Sequence, residues 1–203
     1  MSTEIIIAFV AIGLILIGLG VWVFVRQKTT KRLRERFGPE YDKTVSTHHS
    51  QQRAEAELSK REKRMRKFNI VPLPRAERAR YRENWLVVQS RFVDQPDNSV
   101  AEAHQLVQEV MHRCGYPLTD FEQSAADISV DHPHVVEHFR AATRIADRSK
   151  SSDASTEELR QALVHYRILF DDLLKSEEAD VSVNTTKPVR IRNGKSSGVQ
   201  PNH

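Results

Sequence analysis

Cysteine, glycine and proline are all scarce in this chain of 203 residues, which contains one Cys, seven Gly and eight Pro. A single cysteine excludes a disulfide framework and a metal site built from several thiolates. So few glycines and prolines exclude a collagen-like or other fibrous repeat. The sequence also lacks a glycine-rich phosphate loop and a nucleophile-elbow serine. These absences remove most sequence signatures of common enzymes.

One long hydrophobic run is present, near the N-terminus. Residues 5–25 contain no charged side chain, and 15 of these 21 residues are Ile, Leu, Val or Phe. As a helix the run would be about 31 Å long, close to the ~30 Å hydrocarbon core of a bilayer. A signal peptide would have a basic residue before a shorter run, whereas Glu4 precedes this one and Arg26 follows it. We therefore predict a single transmembrane helix over 5–25.

The charges that follow this span predict its orientation, because basic flanks stay on the cytoplasmic side. Six basic residues lie just beyond it: Arg26, Lys28, Lys31, Arg32, Arg34 and Arg36. We expect these side chains to contact the membrane surface and its anionic lipid headgroups. We also expect an external N-terminus and a cytoplasmic C-terminal domain in the cell membrane; export of that domain is the alternative.

The rest of the chain divides into three regions by charge and periodicity. Residues 26–73 carry 14 Lys/Arg and 6 Asp/Glu, net +8, and are predicted to form a basic juxtamembrane helical linker with a thin, coiled-coil-like apolar stripe. Within it, Gly38-Pro39 should end one helix and start another. The basic stretch 60–67 has acidic interruptions and no interleaved aromatics, so we expect a solvated helix or lipid contact rather than nucleic-acid binding. Residues 176–203 lack periodicity and are predicted to be a disordered tail.

Residues 74–175 carry 13 Lys/Arg and 17 Asp/Glu, net −4, and their apolar residues recur at helical spacing throughout. Capping-box patterns at 119–122 and 155–158 mark two helix starts. No segment alternates with the period of a strand. The sequence therefore predicts an all-α protein: an N-terminal transmembrane helix, a basic helical linker, and a small four- to five-helix bundle over 74–175.

Two features resemble catalytic or metal-binding chemistry. His134-Val135-Val136-Glu137-His138 matches the His-x-x-Glu-His string of inverted zinc peptidases, in which two histidines on one helix face bind the metal. No third ligand stands out, so helix capping or surface exposure is the favoured interpretation of His134 and His138. Cys114 ends an apolar stripe, and a buried structural thiol is favoured over a nucleophile. We thus predict no catalytic, cofactor or metal site.

The chain resembles a family of uncharacterised bacterial single-pass membrane proteins over about residues 32–175. The resemblance rests on these strings: Arg36-Phe37-Gly38-Pro39-Glu40-Tyr41-Asp42, Tyr116-Pro117, Asp120-Phe121-Glu122-Gln123, Ala125-Ala126-Asp127, Ser129-Val130-Asp131-His132-Pro133 and Leu159-Arg160-Gln161-Ala162. It implies a membrane anchor and a helical domain, and it implies no activity or cofactor.

The favoured hypothesis from the sequence is therefore a membrane-anchored adaptor or scaffold. Its cytoplasmic helical domain would act by protein–protein interaction with an unidentified partner, without being an enzyme. The alternative is a small metal-dependent hydrolase that uses His134, Glu137 and His138.

Overall fold

The computed structural model describes residues 3–117, 119–151 and 153–175. Every regular element in these ranges is a helix, which confirms the all-α prediction. The predicted disordered tail, 176–203, lies outside the described residues. The eight helices are α1 (Thr3–Phe37), α2 (Pro39–His48), α3 (Gln51–Met65), α4 (Arg75–Arg91), α5 (Pro96–Arg113), α6 (Phe121–Ile128), α7 (Val136–Ser149) and α8 (Thr156–Lys175).

Helix α1 continues without a break from the apolar run into the basic segment. Over residues 12–25 its large apolar side chains are exposed, whereas Leu33 and Phe37 near its end are completely buried. The segment Ile12–Phe37 is long and apolar enough to cross a membrane. Helix α1 ends at Gly38, whose φ of 46° lies in the left-handed region that glycine adopts without steric cost. Pro39 then occupies the first position of α2, as the sequence predicts.

The rest of the linker forms two helices instead of one. His49 adopts a left-handed conformation, with φ of 49°, and ends α2. Ser50 is extended and precedes α3. The thin apolar stripe of Ala54, Leu58 and Met65 is buried.

The segment between α3 and α4 runs past the end of α5. The backbone N–H of Val71 donates a hydrogen bond of 2.8 Å to the carbonyl of Cys114. Gly115 has φ of 99°, and a Cβ there would lie only 2.4 Å from the carbonyl oxygen of Asn69. Glycine is therefore required at this position both by its backbone conformation and by the close approach of the neighbouring chain.

Helices α4 to α8 lie in the region 74–175, where the sequence predicts a bundle of four or five helices. The capping box before α8 is formed as predicted, because the Ser155 N–H donates to Glu158 Oε2 at 2.8 Å while the Glu158 N–H donates to Ser155 Oγ. The other box is displaced by one residue from the prediction, since Asp120 caps α6 by accepting a hydrogen bond from the Gln123 N–H. The aromatic rings of Trp85 in α4 and Phe170 in α8 are stacked, with their centroids 4.8 Å apart.

The linker and the bundle share one hydrophobic core. Leu33 and Phe37 of α1, Tyr41 of α2 and Leu58 of α3 belong to the same buried cluster as Phe139 of α7. Helices α1 to α3 are therefore packed against the bundle through apolar contacts, although their composition is that of a solvated linker.

Candidate functional site

The three residues of the zinc-peptidase-like string contact three different parts of the molecule. Helix α7 begins only at Val136, so His134 lies in the preceding turn and does not share a helix face with His138. The His134 ring lies against Gly38, at the junction of α1 and α2. Glu137 binds Lys43 and Arg140, whereas Nδ1 of His138 lies 2.8 Å from Nδ1 of His165. The single-face geometry that the string requires is not formed.

Cys114 is a buried thiol beside a cavity. Burial raises its pKa to about 11, which is the opposite of the lowered pKa that activates a nucleophilic cysteine. The cavity has a volume of about 490 Å³ and is lined partly by Arg36, Glu62, Cys114 and His132. Nδ1 of His132 lies 2.6 Å from a carboxylate oxygen of Asp172. Among the described residues, no three His, Cys, Asp or Glu side chains are arranged to hold a metal ion.

Buried carboxylates join α1–α3 to the bundle. Glu40 of α2 is 3% exposed and accepts hydrogen bonds from Arg61 Nη1 at 2.8 Å and from both Arg140 terminal nitrogens, at 2.7 and 2.8 Å. Burial raises the pKa of Glu40, but the hydrogen bonds and charges of Arg140 and Arg61 outweigh this effect and lower it overall. Burial of Arg140 likewise opposes its charge, yet Glu40 and Glu137 raise its pKa.

Two further buried carboxylates bind arginines of the linker, Glu62 within α1–α3 and Asp127 across the contact with the bundle. Glu62 of α3 binds Arg32 at 2.9 Å and Arg36 at 3.4 Å. Asp127 of α6 accepts a 2.9 Å hydrogen bond from Arg64 Nε, and Gln123 donates a second one. Much of the linker's positive charge is therefore paired with carboxylates inside the protein.

Several strings that carry the family resemblance meet at this polar contact. Glu40 comes from the first string, while Asp127 and Ser129 come from two strings in the bundle. Arg61 binds both Glu40 and the Ser129 hydroxyl, and Arg36 of the first string lies 3.5 Å from Asp131. These strings therefore account for how α1–α3 is joined to the bundle.

The six basic residues expected at the membrane surface fall into two groups. Arg32 and Arg36 bind Glu62, and Arg34 donates a 2.9 Å hydrogen bond to Asp42. The other three lie nearer the apolar part of α1: Arg26 stacks over the Trp22 ring, Lys28 is exposed, and Lys31 is 3.9 Å from Glu35. Sequence reasoning could not separate these groups, because Glu62, the partner of Arg32 and Arg36, lies far away along the chain.

Exposed apolar side chains form a small surface where α4 borders α8. Leu86 of α4 is 63% exposed, and Val93, in the turn that follows the end of α4 at Arg91, is 87% exposed. Arg167 of α8 donates to Gln89, which lies between them, and Val164 is one turn along α8. We call Leu86, Val93 and Val164 the α4–α8 surface. In the sequence, this surface is marked only by two apolar residues, Leu86 and Val93, that do not belong to the buried apolar stripe of α4.

Comparison of the chain with protein-family models, with curated proteins and with solved structures finds no match. The family resemblance gains no support from these comparisons.

Proposed function

We propose that this protein is a single-pass membrane protein whose cytoplasmic helical domain binds another protein at the membrane, as an adaptor or scaffold. The observation that carries the proposal is the division of α1. Over residues 12–25 it exposes a continuous apolar surface, including Leu16 at 61% and Phe24 at 67%, while Leu33 and Phe37 of the same helix are buried in the core. Because one helix serves both parts, the domain would be held rigidly beside the bilayer instead of on a flexible tether.

The cytoplasmic orientation is supported by the basic residues after the apolar segment, since the positive-inside rule counts them whether or not they later pair with carboxylates. The orientation can be tested by cysteine labelling, because Cys114 should not react with the label. Its thiol is buried and protonated at neutral pH, so a membrane-impermeant maleimide should label only a cysteine introduced at the surface.

We expect an Asn98→Cys variant to be labelled only after the cells are lysed, because Asn98 is an exposed residue of the bundle. A Ser2→Cys variant should be labelled in intact cells, and the parent chain should remain unlabelled in both conditions. Labelling of Asn98→Cys in intact cells would show that the domain is exported.

The α4–α8 surface supports a protein partner with a complementary apolar face. Its centre consists of aliphatic side chains, and its surroundings are polar, with Gln89 and Arg167 beside it. An apolar centre with a polar rim is the usual composition of a protein–protein contact. We therefore expect the partner to cover Leu86 and Val93.

Site-specific photo-crosslinking in cells tests this directly. A photoreactive amino acid at position 86 or 93 of the full chain should give one reproducible protein adduct, whereas the same amino acid at the exposed polar position Gln161 should not. A Leu86→Asp substitution should abolish the adduct formed from position 93. Equal adducts from all three positions, or none from 86 and 93, would overturn the assignment of this surface.

A further inference from the structure

The path of α1–α3 brings a distant part of the chain back to the end of the apolar segment. Helix α2 runs back along α1, and α3 then runs forward again beside it. Thr30 of α1 donates a 2.7 Å hydrogen bond to Glu55, and Gln51 lies 3.4 Å from Thr30. The start of α3 is therefore level with Thr30, only five residues after the last apolar residue, Val25.

The distances place the α2–α3 turn at the depth of lipid headgroups. At about 1.5 Å per residue, Thr30 lies roughly 7 Å beyond Val25 along α1. The 10 residues of α2 span about 15 Å, so its last turn returns to the level of about residue 28. The headgroup layer of a bilayer extends roughly 5–8 Å beyond the hydrocarbon core. Trp22 is 55% exposed and has Arg26 5.3 Å from its ring centroid, the arrangement expected at a membrane interface.

This end of the domain carries more positive than negative charge at its surface, since the carboxylate of Glu55 beside it is buried. Residues 26–31 and 46–54 together contain four Lys or Arg, two His and several Ser, Thr and Gln, but no Asp or Glu. Lys28, His49 and Arg53 are exposed, while Arg26 and His48 are partly exposed. We call these five side chains the turn face.

The densest basic stretch of the linker lies at the opposite end of α3. Because Glu55 is level with Thr30, Lys63 lies about 12 Å farther along α3, well beyond the headgroup layer, and Lys67 follows the end of α3 at Met65. Both side chains are exposed. They offer a matched control for the turn face: the same charge, in the same linker, at a different distance from the bilayer.

We propose that the turn face binds anionic phospholipid headgroups, with Arg26, Lys28 and Arg53 contacting the phosphate groups and the polar side chains of the turn donating further hydrogen bonds. This inference rests on the proposed membrane insertion of α1 and adds a lipid partner to it. A basic residue at an anionic surface contributes about 1 kcal/mol, which corresponds to about a fivefold change in lipid association.

The test uses the full chain reconstituted in bilayers with spin-labelled phosphatidylglycerol or spin-labelled phosphatidylcholine. The fraction of motionally restricted label gives the relative association of each lipid with the protein. We expect the parent chain to prefer phosphatidylglycerol several-fold and the Lys28→Gln/Arg53→Gln variant to lose most of this preference. The Lys63→Gln/Lys67→Gln variant should keep it.

Equal loss in both double variants would overturn the proposal, because the preference would then follow net charge and not the turn face. Absence of a preference in the parent chain would overturn it as well. A second measurement, extraction of membranes with alkaline carbonate, tests separately whether the chain is inserted in the membrane as the proposed function requires. A chain that resists extraction but shows no lipid preference contradicts only the turn face, whereas a chain that is extracted contradicts membrane insertion itself.

Discussion

Glu40 shows how single residues hold the linker to the bundle. It lies on α2, close to the end of α1, yet its carboxylate is bound by Arg61 of α3 and Arg140 of α7. A buried carboxylate with two guanidinium partners is stable only while all three charges are present, because each would otherwise be desolvated without compensation. This makes the contact between α1–α3 and the bundle sensitive to the loss of one charge.

We expect Glu40→Gln to lower the free energy of unfolding of the full chain by about 3 kcal/mol, since it removes the buried anion that Arg61 and Arg140 share and leaves them with the more exposed Glu57 and Glu137. Denaturation in detergent micelles, followed by far-ultraviolet circular dichroism, measures the change. Glu35→Gln is the control: it removes an exposed carboxylate 3.9 Å from Lys31 and should change stability by less than about 0.5 kcal/mol. Similar effects of the two substitutions would contradict a structural role for Glu40.

At the scale of the element, α1 is one helix with two environments. Composition marks its apolar half clearly, but nothing local shows that Leu33 and Phe37 enter a core formed mainly by residues from 41 to 174. Burial there comes from α2 and α3 folding back along α1, which is a tertiary event. A leucine near the end of α1 therefore stabilises the core, whereas a leucine in the apolar half of the same helix does not.

Two matched substitutions in α1 test this difference. Leu33→Ala should lower the free energy of unfolding of the domain by about 2–5 kcal/mol, because it leaves a cavity at a completely buried position. Leu19→Ala, at a position that is 55% exposed, should leave that free energy unchanged. Unfolding followed by Trp85 fluorescence in a Trp22→Phe background reports on the bundle alone. If both substitutions had the same effect, Leu33 would not belong to the core.

Helix α8 is held partly by histidines whose neutral form is favoured. Nδ1 of His104 lies 2.8 Å from the Tyr166 hydroxyl, and burial, with a smaller contribution from Lys150, lowers the pKa of His104 below 6.5. Burial and the neighbouring His138 likewise lower the pKa of His165. Because the unfolded chain then binds more protons than the folded chain near pH 6, folding stability is greatest above pH 6.5 and falls on acidification.

We therefore expect the unfolding midpoint to decline as the pH falls from 7 towards 5, and the decline to be shallower in a His104→Gln variant. His49→Gln, in the exposed α2–α3 turn, should retain the slope of the parent chain. Melting curves at a series of pH values measure this. A slope that His104→Gln leaves unchanged would show that His104 does not carry the pH dependence.

At the scale of the whole molecule, the linker and the bundle form one packed body. The basic linker and the acidic bundle have opposite net charge, and their contact pairs Glu40 with Arg140 and Arg64 with Asp127. Apolar residues from both regions also share one cluster. The two regions that differ in net charge along the sequence, the linker and the bundle, thus pack against each other in the folded protein.

This packing predicts that α1–α3 and the bundle unfold together. A fluorophore at an exposed position of α2, introduced by Ser46→Cys, should report the same denaturation midpoint as Trp85 in the bundle, with Trp22 replaced by Phe. Melting of the α2 probe at a clearly lower denaturant concentration would show that the linker is a separate, weaker unit.

The sequence by itself determined the features that depend on neighbouring residues. The apolar run, the helix break at Gly38-Pro39, the capping box at Ser155–Glu158 and the helical periods of the bundle are all local patterns, and each is present in the structure. Which basic residues are paired depends on the tertiary structure. Arg32 and Arg36 bind Glu62, whereas Lys28 and Arg53 are exposed, because α2 reverses the chain direction and brings α3 beside α1. Composition cannot reveal such pairings, since the free energy of a charge depends on its burial and on its partners in space.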